Sequence, residues 1–218
     1  IPPYSFHGVL KDTDKRIANK YLIDFIKVAP SDITLPLLAA IARAPLCSIK
    51  PADFSLFMDG SSGAKKSTLA GLLCAFVGRG FDRHYLQANF TSTANALEAI
   101  LFKFKDLIQV IDDFAPSGTV QDRSKYQGLS ERTFRNIGNG ASRSRMTATG
   151  DLRPNLPARG LVLATGEDVP NGNSIQARLV VLTVGPSSVN CELLTEVQKA
   201  AAEGIASQIF GSYVQYIC

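Results

Sequence analysis

The chain has 218 residues, of which 45% are hydrophobic and 19% charged, and carries a net charge of +4. That length supports one sizeable α/β core, or one core with a small appendage, and the composition excludes a disordered, collagen-like or disulfide-scaffold chain. No uninterrupted apolar run is long enough to span a bilayer as a helix, so no membrane partner is expected.

Residues 1–10 read as an extended entry segment. They open on Ile1-Pro2-Pro3, with no initiator Met, no basic leader and no apolar core of a signal peptide, so a portion of a longer protein is expected. Ile17, Tyr21, Leu22, Phe25, Ile26 and Val28 recur at helical spacing and predict a helix over 14–28, ended by Ala29-Pro30. Ser31 or Asp32 can cap a second helix that runs to residue 44 and is closed by Pro45. This helical hairpin, residues 1–50, precedes an expected core at 51–190.

The core begins with a short apolar run, 54–58, which reads as a buried strand. A turn follows, Gly60-Ser61-Ser62-Gly63-Ala64-Lys65, then Lys66, Ser67 and Thr68, and an apolar helix over 69–77. Strand, glycine turn, Lys-Ser and helix form the plan of a phosphate-binding P-loop. Amides of such a turn point inward at oxygens, and the helix N-terminus adds positive potential. Lys66 would reach the β- and γ-phosphates and Ser67 would place its hydroxyl on Mg²⁺, so ATP and Mg²⁺ are the expected cofactors. One position departs from G-x-x-x-x-G-K-[ST]: Lys65 stands where the pattern has its second glycine. Either Lys65 points outward as extra positive charge, or the loop is damaged. The plain alternative is a Gly/Ser turn before an ordinary helix.

After a turn at Gly78-Arg79-Gly80-Phe81, residues 84–90 predict a second strand, and Thr91-Ser92-Thr93 caps a helix over 94–105. Residues 107–114 form an apolar strand that ends in Asp112 and Asp113. In a parallel sheet that end faces the ligand. Asp112 is expected to hold Mg²⁺ through water, and Asp113 to orient or deprotonate an attacking water. A pair of turn aspartates is the plain alternative. A loop over 115–120 and a polar helix over 121–137 come next, then a β-hairpin over 142–160 with a Thr149-Gly150-Asp151 turn. Residues 161–165 form a strand ending in Thr165, which can bond the γ-phosphate or the water, the plain alternative being a residue that ends a strand before a loop. Gly172-Asn173-Ser174 caps a short helix through Arg178, and 179–184 is the last strand. Arg178 could supply a guanidinium to a neighbouring subunit's phosphates or make a surface ion pair. Residues 191–218 are expected to carry a C-terminal helix, spanning about 192–210.

Strands alternating with helices predict a mostly parallel sheet with helices on both faces. The span 123–159 holds eight Lys/Arg against two acids, a local excess that suits a phosphate backbone, with only Tyr126 and Phe134 to stack on bases. A solvated polar face is the plain alternative. Cys47, Cys74, Cys191 and Cys218 form no C-x-x-C pair, so a reducing cytoplasm is expected rather than a disulfide framework or zinc site. His7 and His84 have no ligand-spaced partners.

In order, these pieces resemble the AAA+ ATPases, including the superfamily 3 helicases. They are closer still to the helicase-like family known as domain of unknown function 927, found in phage, plasmid and other mobile-element proteins. The residues that carry the likeness are SSGAKKSTLAGL from Ser61, FTSTANALEAI from Phe90 and QVIDDF from Gln109. NGASRSR from Asn139, LVLATGE from Leu161 and SIQARL from Ser174 complete it. The resemblance implies a three-layer P-loop NTPase fold, with the hairpin inserted before the sensor strand. It matches Gly60, Gly63, Lys66 and Ser67 to Walker A, Asp112 and Asp113 to Walker B, Thr165 to sensor 1, and Arg178 to an arginine finger. The hairpin would touch DNA in the pore of a ring, and Arg143, Arg145 and Arg153 are the expected nucleic-acid contacts. Lys65 and Asp113 (Glu being commoner there) are departures from the pattern. The implied activity is an ATP-driven DNA helicase or translocase in replication of a mobile element. The implied partners are further copies of the chain, a hexameric ring being one form, and single-stranded DNA. Two other classes fit the same loop: a nucleotide-gated assembly module with little turnover, and a small-molecule kinase, for which no acceptor lid is visible.

Overall fold

The computed structural model describes residues 10–11, 14–142, 144, 146–147, 149–152 and 154–217. Its strands are β1 (Ser55–Asp59), β2 (Ala88–Asn89), β3 (Ile108–Phe114), β4 (Leu161–Gly166) and β5 (Leu179–Thr183). They make one parallel sheet in the order β2-β3-β4-β1-β5. β1 sits between β4 and β5, with Phe57 opposite both Ala164 and Val181. The chain leaves β1 toward the β2 edge and later returns from β4 to β5 on the other side. That reversal makes the carboxyl end of β1 a topological switch point, where open α/β sheets bind ligands.

The unbroken apolar runs of β1, β3 and β4 follow from burial on both faces. On one face Leu56, Met58, Val110, Leu161 and Leu163 pack under α3 (Lys66–Cys74). The same cluster takes in Tyr21 and Phe25 of α1 (Lys15–Lys27), Leu37 of α2 (Ser31–Arg43), Val197 of α7 (Cys191–Ala202) and Phe210 of α8 (Ile205–Ile217). Residues before 50 and after 190 thus pack into the same apolar cluster as the sheet. On the other face Phe57, Ile111, Phe114, Val162 and Ala164 meet α4 (Ala94–Lys103) and α5 (Val120–Gly138). There Phe57, Phe90, Phe114 and Phe134 meet edge-on or tilted, with centroids 5.2–6.2 Å apart. The result is a three-layer α/β fold, as the alternation predicts.

The structure corrects three local expectations. The strand predicted over 84–90 shrinks to Ala88–Asn89, because a side chain occupies the edge of β3 ahead of it. Gln87 accepts from Val110 N at 3.0 Å and donates to Ile108 O at 3.3 Å, taking the place of backbone pairing. The predicted C-terminal helix is two helices, broken at Gly204, whose φ is +94°. A Cβ there would stand 2.2 Å from Arg79 Nε. Ser31 is the first residue of α2 rather than its cap, with Pro30 before it. In the predicted hairpin the described residues make one antiparallel bridge, Met146 to Leu152, around a turn closed by Thr147 O and Asp151 O contacts: Gly150 N donates to Thr147 O at 3.1 Å and Thr147 N to Asp151 O at 2.7 Å. The cap at Thr93 forms as predicted, accepting from Ala96 N at 3.3 Å. No helix among the described residues is long and apolar enough to cross a membrane.

Candidate functional site

The site is built where β1 runs out into the glycine turn. Gly60 has φ +154°, and a Cβ there would lie 2.3 Å from Val184 O, so only glycine lets β1 leave beside β5. Lys65 is left-handed, with φ 71° and ψ 18°. It takes the conformation for which glycine is suited, at a cost of about 1 kcal/mol for a residue with a side chain. That side chain is exposed and stands on the wall of the cleft described below.

Lys66 opens α3 and is 9% exposed. Its Nζ donates to Gly60 O at 2.6 Å and Ser61 O at 3.0 Å, folding the ammonium over the loop. Ala64 is buried beneath the turn, and Ala64 N donates to Ser61 O at 3.2 Å. The first amides of α3 have no helical partner of their own, as at any helix start, and this is the end that favours anions.

Across the cleft, β3 ends in a bulge. Ile111 pairs with Ala164, but the next pair is Phe114 with Gly166, and Asp113 between them has φ +64°. The extra residue exposes Asp113 while Phe114 returns to the aromatic core. Asp112 Oδ1 accepts from Ser67 Oγ at 2.9 Å and from Thr165 Oγ1 at 2.5 Å. Thr165, 1% exposed at the end of β4, also accepts from Asp113 N at 3.2 Å. Ser67, Asp112, Thr165 and Asp113 are thus one hydrogen-bonded chain linking α3, β3 and β4. The Ser67 hydroxyl and Asp112 carboxylate are an oxygen pair of the kind that suits a hard divalent cation.

A cleft of about 230 Å³ opens between these elements. Ser62, Gly63, Lys65, Lys66, Ser67 and Thr68 line one side, and Asp113, Thr165, Gly166 and Glu167 the other. Arg83 completes the wall. Arg83 and Glu167 were not singled out from sequence. Arg83 comes from the loop after α3, where its Nε donates to His84 Nε2 at 3.1 Å, and no local pattern marks it. Glu167 had a signal, as the residue that follows the strand-ending Thr165-Gly166. Behind α3, burial pushes the Cys74 thiol up to about 12, and its Sγ lies 3.4 Å from Gln87 Oε1.

Arg178 is not in this cleft. It precedes β5, and its backbone O accepts from Ser55 N at 2.9 Å, at the start of β1. Its guanidinium donates to Ser174 O at 2.5 Å and to Asn139 Oδ1 at 3.1 Å. A Cβ on Gly138 would come within 2.5 Å of its Cδ, so Gly138 leaves room for it. Arg143, Arg145 and Arg153 lie outside the described residues.

The family model described as "Domain of unknown function (DUF927)" matches residues 25–156. No curated protein matches the chain by sequence. Among solved structures, the SCCmec type IV Cch active helicase is 19% identical with TM-score 0.55, over 91% of this chain and 36% of that one. The NrS-1 C-terminal region is 14% identical with TM-score 0.52, over 97% of this chain and 49% of that one. JCV helicase is 12% identical with TM-score 0.50, over 88% of this chain and 53% of that one. The chain thus spans between about a third and a half of the solved chains it matches, and at these identities the likeness is one of fold.

Proposed function

This chain belongs to the DUF927 family, and on that premise we propose that it binds ATP with Mg²⁺ and hydrolyses it to drive movement on nucleic acid. The observation that carries the reading is the Ser67–Asp112–Thr165 hydrogen-bonded chain at a cleft whose walls include Lys66, Ser67 and Thr165. In this reading the loop amides and Lys66 bind the phosphates, and Lys66 exchanges the Gly60 and Ser61 carbonyls for phosphate oxygens. Ser67 and Asp112 hold the metal, which when bound offsets charge on the phosphate oxygens. Thr165 and Asp113 orient an attacking water. A second cavity, about 360 Å³, shares Lys65, Thr68 and Arg83 with the phosphate cleft and is closed by Leu194, Thr195 and Gln198 of α7. It is where the nucleoside would lie.

Arg178 acts on a neighbouring copy's phosphates, in a homo-oligomer for which a hexameric ring is one form. The likeness in fold to solved helicases supports nucleic acid as the track, single-stranded DNA in replication of a mobile element, with Arg143, Arg145 and Arg153 as contacts. A second reading, a nucleotide-gated assembly module with little turnover, is favoured by one observation: both departures from the expected pattern, Lys65 and Asp113, have left-handed backbones. ATPase assays with and without single-stranded DNA separate the two. A motor is stimulated by the strand; an assembly module oligomerises with ATP and shows no stimulated turnover.

A further inference from the structure

Two carboxylates at the cleft have no hydrogen-bonded or ion-paired partner among the described residues: Asp113 and Glu167. Asp112 differs from both, because one of its oxygens already accepts from two hydroxyls. A carboxylate so engaged is poorly placed to take a further proton, whereas an unengaged one beside a cleft lined by Lys65, Lys66 and Arg83 is available for it.

Strand order separates the two free groups. The sheet runs β3-β4-β1, so a residue that follows β4 is next to the loop leaving β1. A residue that ends β3 is one strand further off, about 4.8 Å. Glu167 follows β4, and Asp113 belongs to β3. Glu167 also has one more methylene than Asp113, ~1.5 Å of extra reach.

The backbone of Glu167 is fixed. Its N–H donates to Phe114 O at 3.0 Å. That contact needs β3 and β4 to close tightly at their ends, and Gly166 allows it. A Cβ on Gly166 would lie 2.7 Å from both Phe114 O and Phe57 Cζ. Thr165 and Glu167 therefore stand two residues apart on one rigid strand end, a buried hydroxyl within and an exposed carboxylate at the rim.

We propose that Glu167 is the general base of this cleft, taking the proton of the water that attacks the terminal phosphate. The inference rests on the ATP-hydrolysis reading above. The water oxygen bonds to the terminal phosphorus, and its proton passes to a Glu167 carboxylate oxygen. The bond from that phosphorus to the bridging oxygen breaks, and its electron pair stays on the departing diphosphate. Glu167 then returns the proton to solvent or to the released phosphate. One ATP and one water give one ADP and one phosphate. Asp113 and Thr165 position the water, and Glu167 receives its proton.

The test compares the wild-type chain with Glu167→Gln, Glu167→Asp and Asp113→Asn. Calorimetry gives the Mg-ATP affinity, steady-state kinetics give kcat and KM across pH, and melting temperature reports folding. Glu167→Gln is expected to melt like the wild type, bind Mg-ATP within about threefold of it, and lose about 100-fold or more in kcat, the usual range for a general base. Its kcat should also lose the acidic limb of the pH profile, and Glu167→Asp should recover part of the rate. Asp113→Asn should lose about tenfold. The proposal is overturned if Glu167→Gln keeps kcat within about threefold, or if its loss is one of affinity or folding. It is also overturned if the wild type binds Mg-ATP tightly and does not turn it over. Failure of the wild type to bind Mg-ATP contradicts the ATP reading itself, before Glu167 is in question.

Discussion

The two ends of the sheet hold their functional candidates in opposite ways. At the carboxyl end, residues from three elements brace one another: Ser67 and Thr165 bond Asp112, and Asp113 bonds Thr165. At the amino end, the Arg178 guanidinium stands apart from that group, bonded to Ser174 and Asn139 among the described residues. β1 and β5 are five residues long, so about 16 Å separates the two ends. Over that span salt screens most of the interaction between exposed charges, since the Debye length is about 8 Å at physiological ionic strength. Arg178 therefore has little influence on its own chain's cleft. The contrast teaches that, in the proposed reading, binding draws on one chain's residues while Arg178 serves the phosphates of a second copy.

The strongest way to break that comparison is at Arg178. Arg178→Ala should leave Mg-ATP affinity unchanged and lower kcat by about 10³-fold, the lower end for an arginine supplied in trans. Mixing Arg178→Ala chains with Lys66→Ala chains should restore part of the turnover, because some pairs then combine an intact cleft with an intact arginine. An equal loss of binding in Arg178→Ala, or no recovery on mixing, would place its effect within its own chain.

A smaller effect sharpens the other end. Lys65 holds a left-handed backbone that glycine adopts freely. Lys65→Gly relieves that strain, partly offset by the greater freedom glycine gains in the unfolded chain, so denaturant unfolding should show a gain of up to about 1 kcal/mol. A loss of stability would mean that the Lys65 side chain supports the loop.

The smallest effect lies away from both ends, at the start of α5. Thr119 accepts from Asp122 N at 3.2 Å and donates to Asp122 Oδ2 at 2.7 Å, and these bonds hold the Asp122 carboxyl below its usual range. A depressed carboxylate contributes stability that is present above its unfolded value and is lost as pH falls through the folded one. Thr119→Ala should therefore lower the melting temperature by about 2 °C at neutral pH. The difference should begin to shrink as pH falls below about 4, where the unfolded carboxyl protonates first, and should be smallest below the lower folded value, where both states are protonated. A difference that stays constant into acid would assign the cap to the hydroxyl alone.

What was legible in the sequence follows the same division. β1, β3 and β4 were readable because burial on both faces leaves continuous apolar runs, and the loop because its glycines and Lys-Ser stand together in sequence. Asp112, Thr165 and Ser67 could be placed at one sheet end by topology, although their mutual hydrogen bonds could not be read from spacing. The bulge that turns Asp113 outward has no local signature, since it depends on how β3 registers with β4. Arg83 reaches the cleft through a long loop, and Gln87 displaces a predicted strand by using its side chain as a ladder partner. Such contacts depend on elements distant in the chain. Gly204 was visible in the sequence, but helical periodicity continues on both sides of it and masks the break.

The central claim is that the loop ahead of Lys66 binds a triphosphate despite the side chain at position 65. Calorimetry of Mg-ATP with the wild-type chain and with Lys66→Ala tests it directly. In the proposed reading Lys66 trades its two carbonyl contacts for charge-assisted bonds to phosphate, and losing them should weaken affinity by about 100-fold, roughly 3 kcal/mol. Equal affinity in the two proteins would contradict the account.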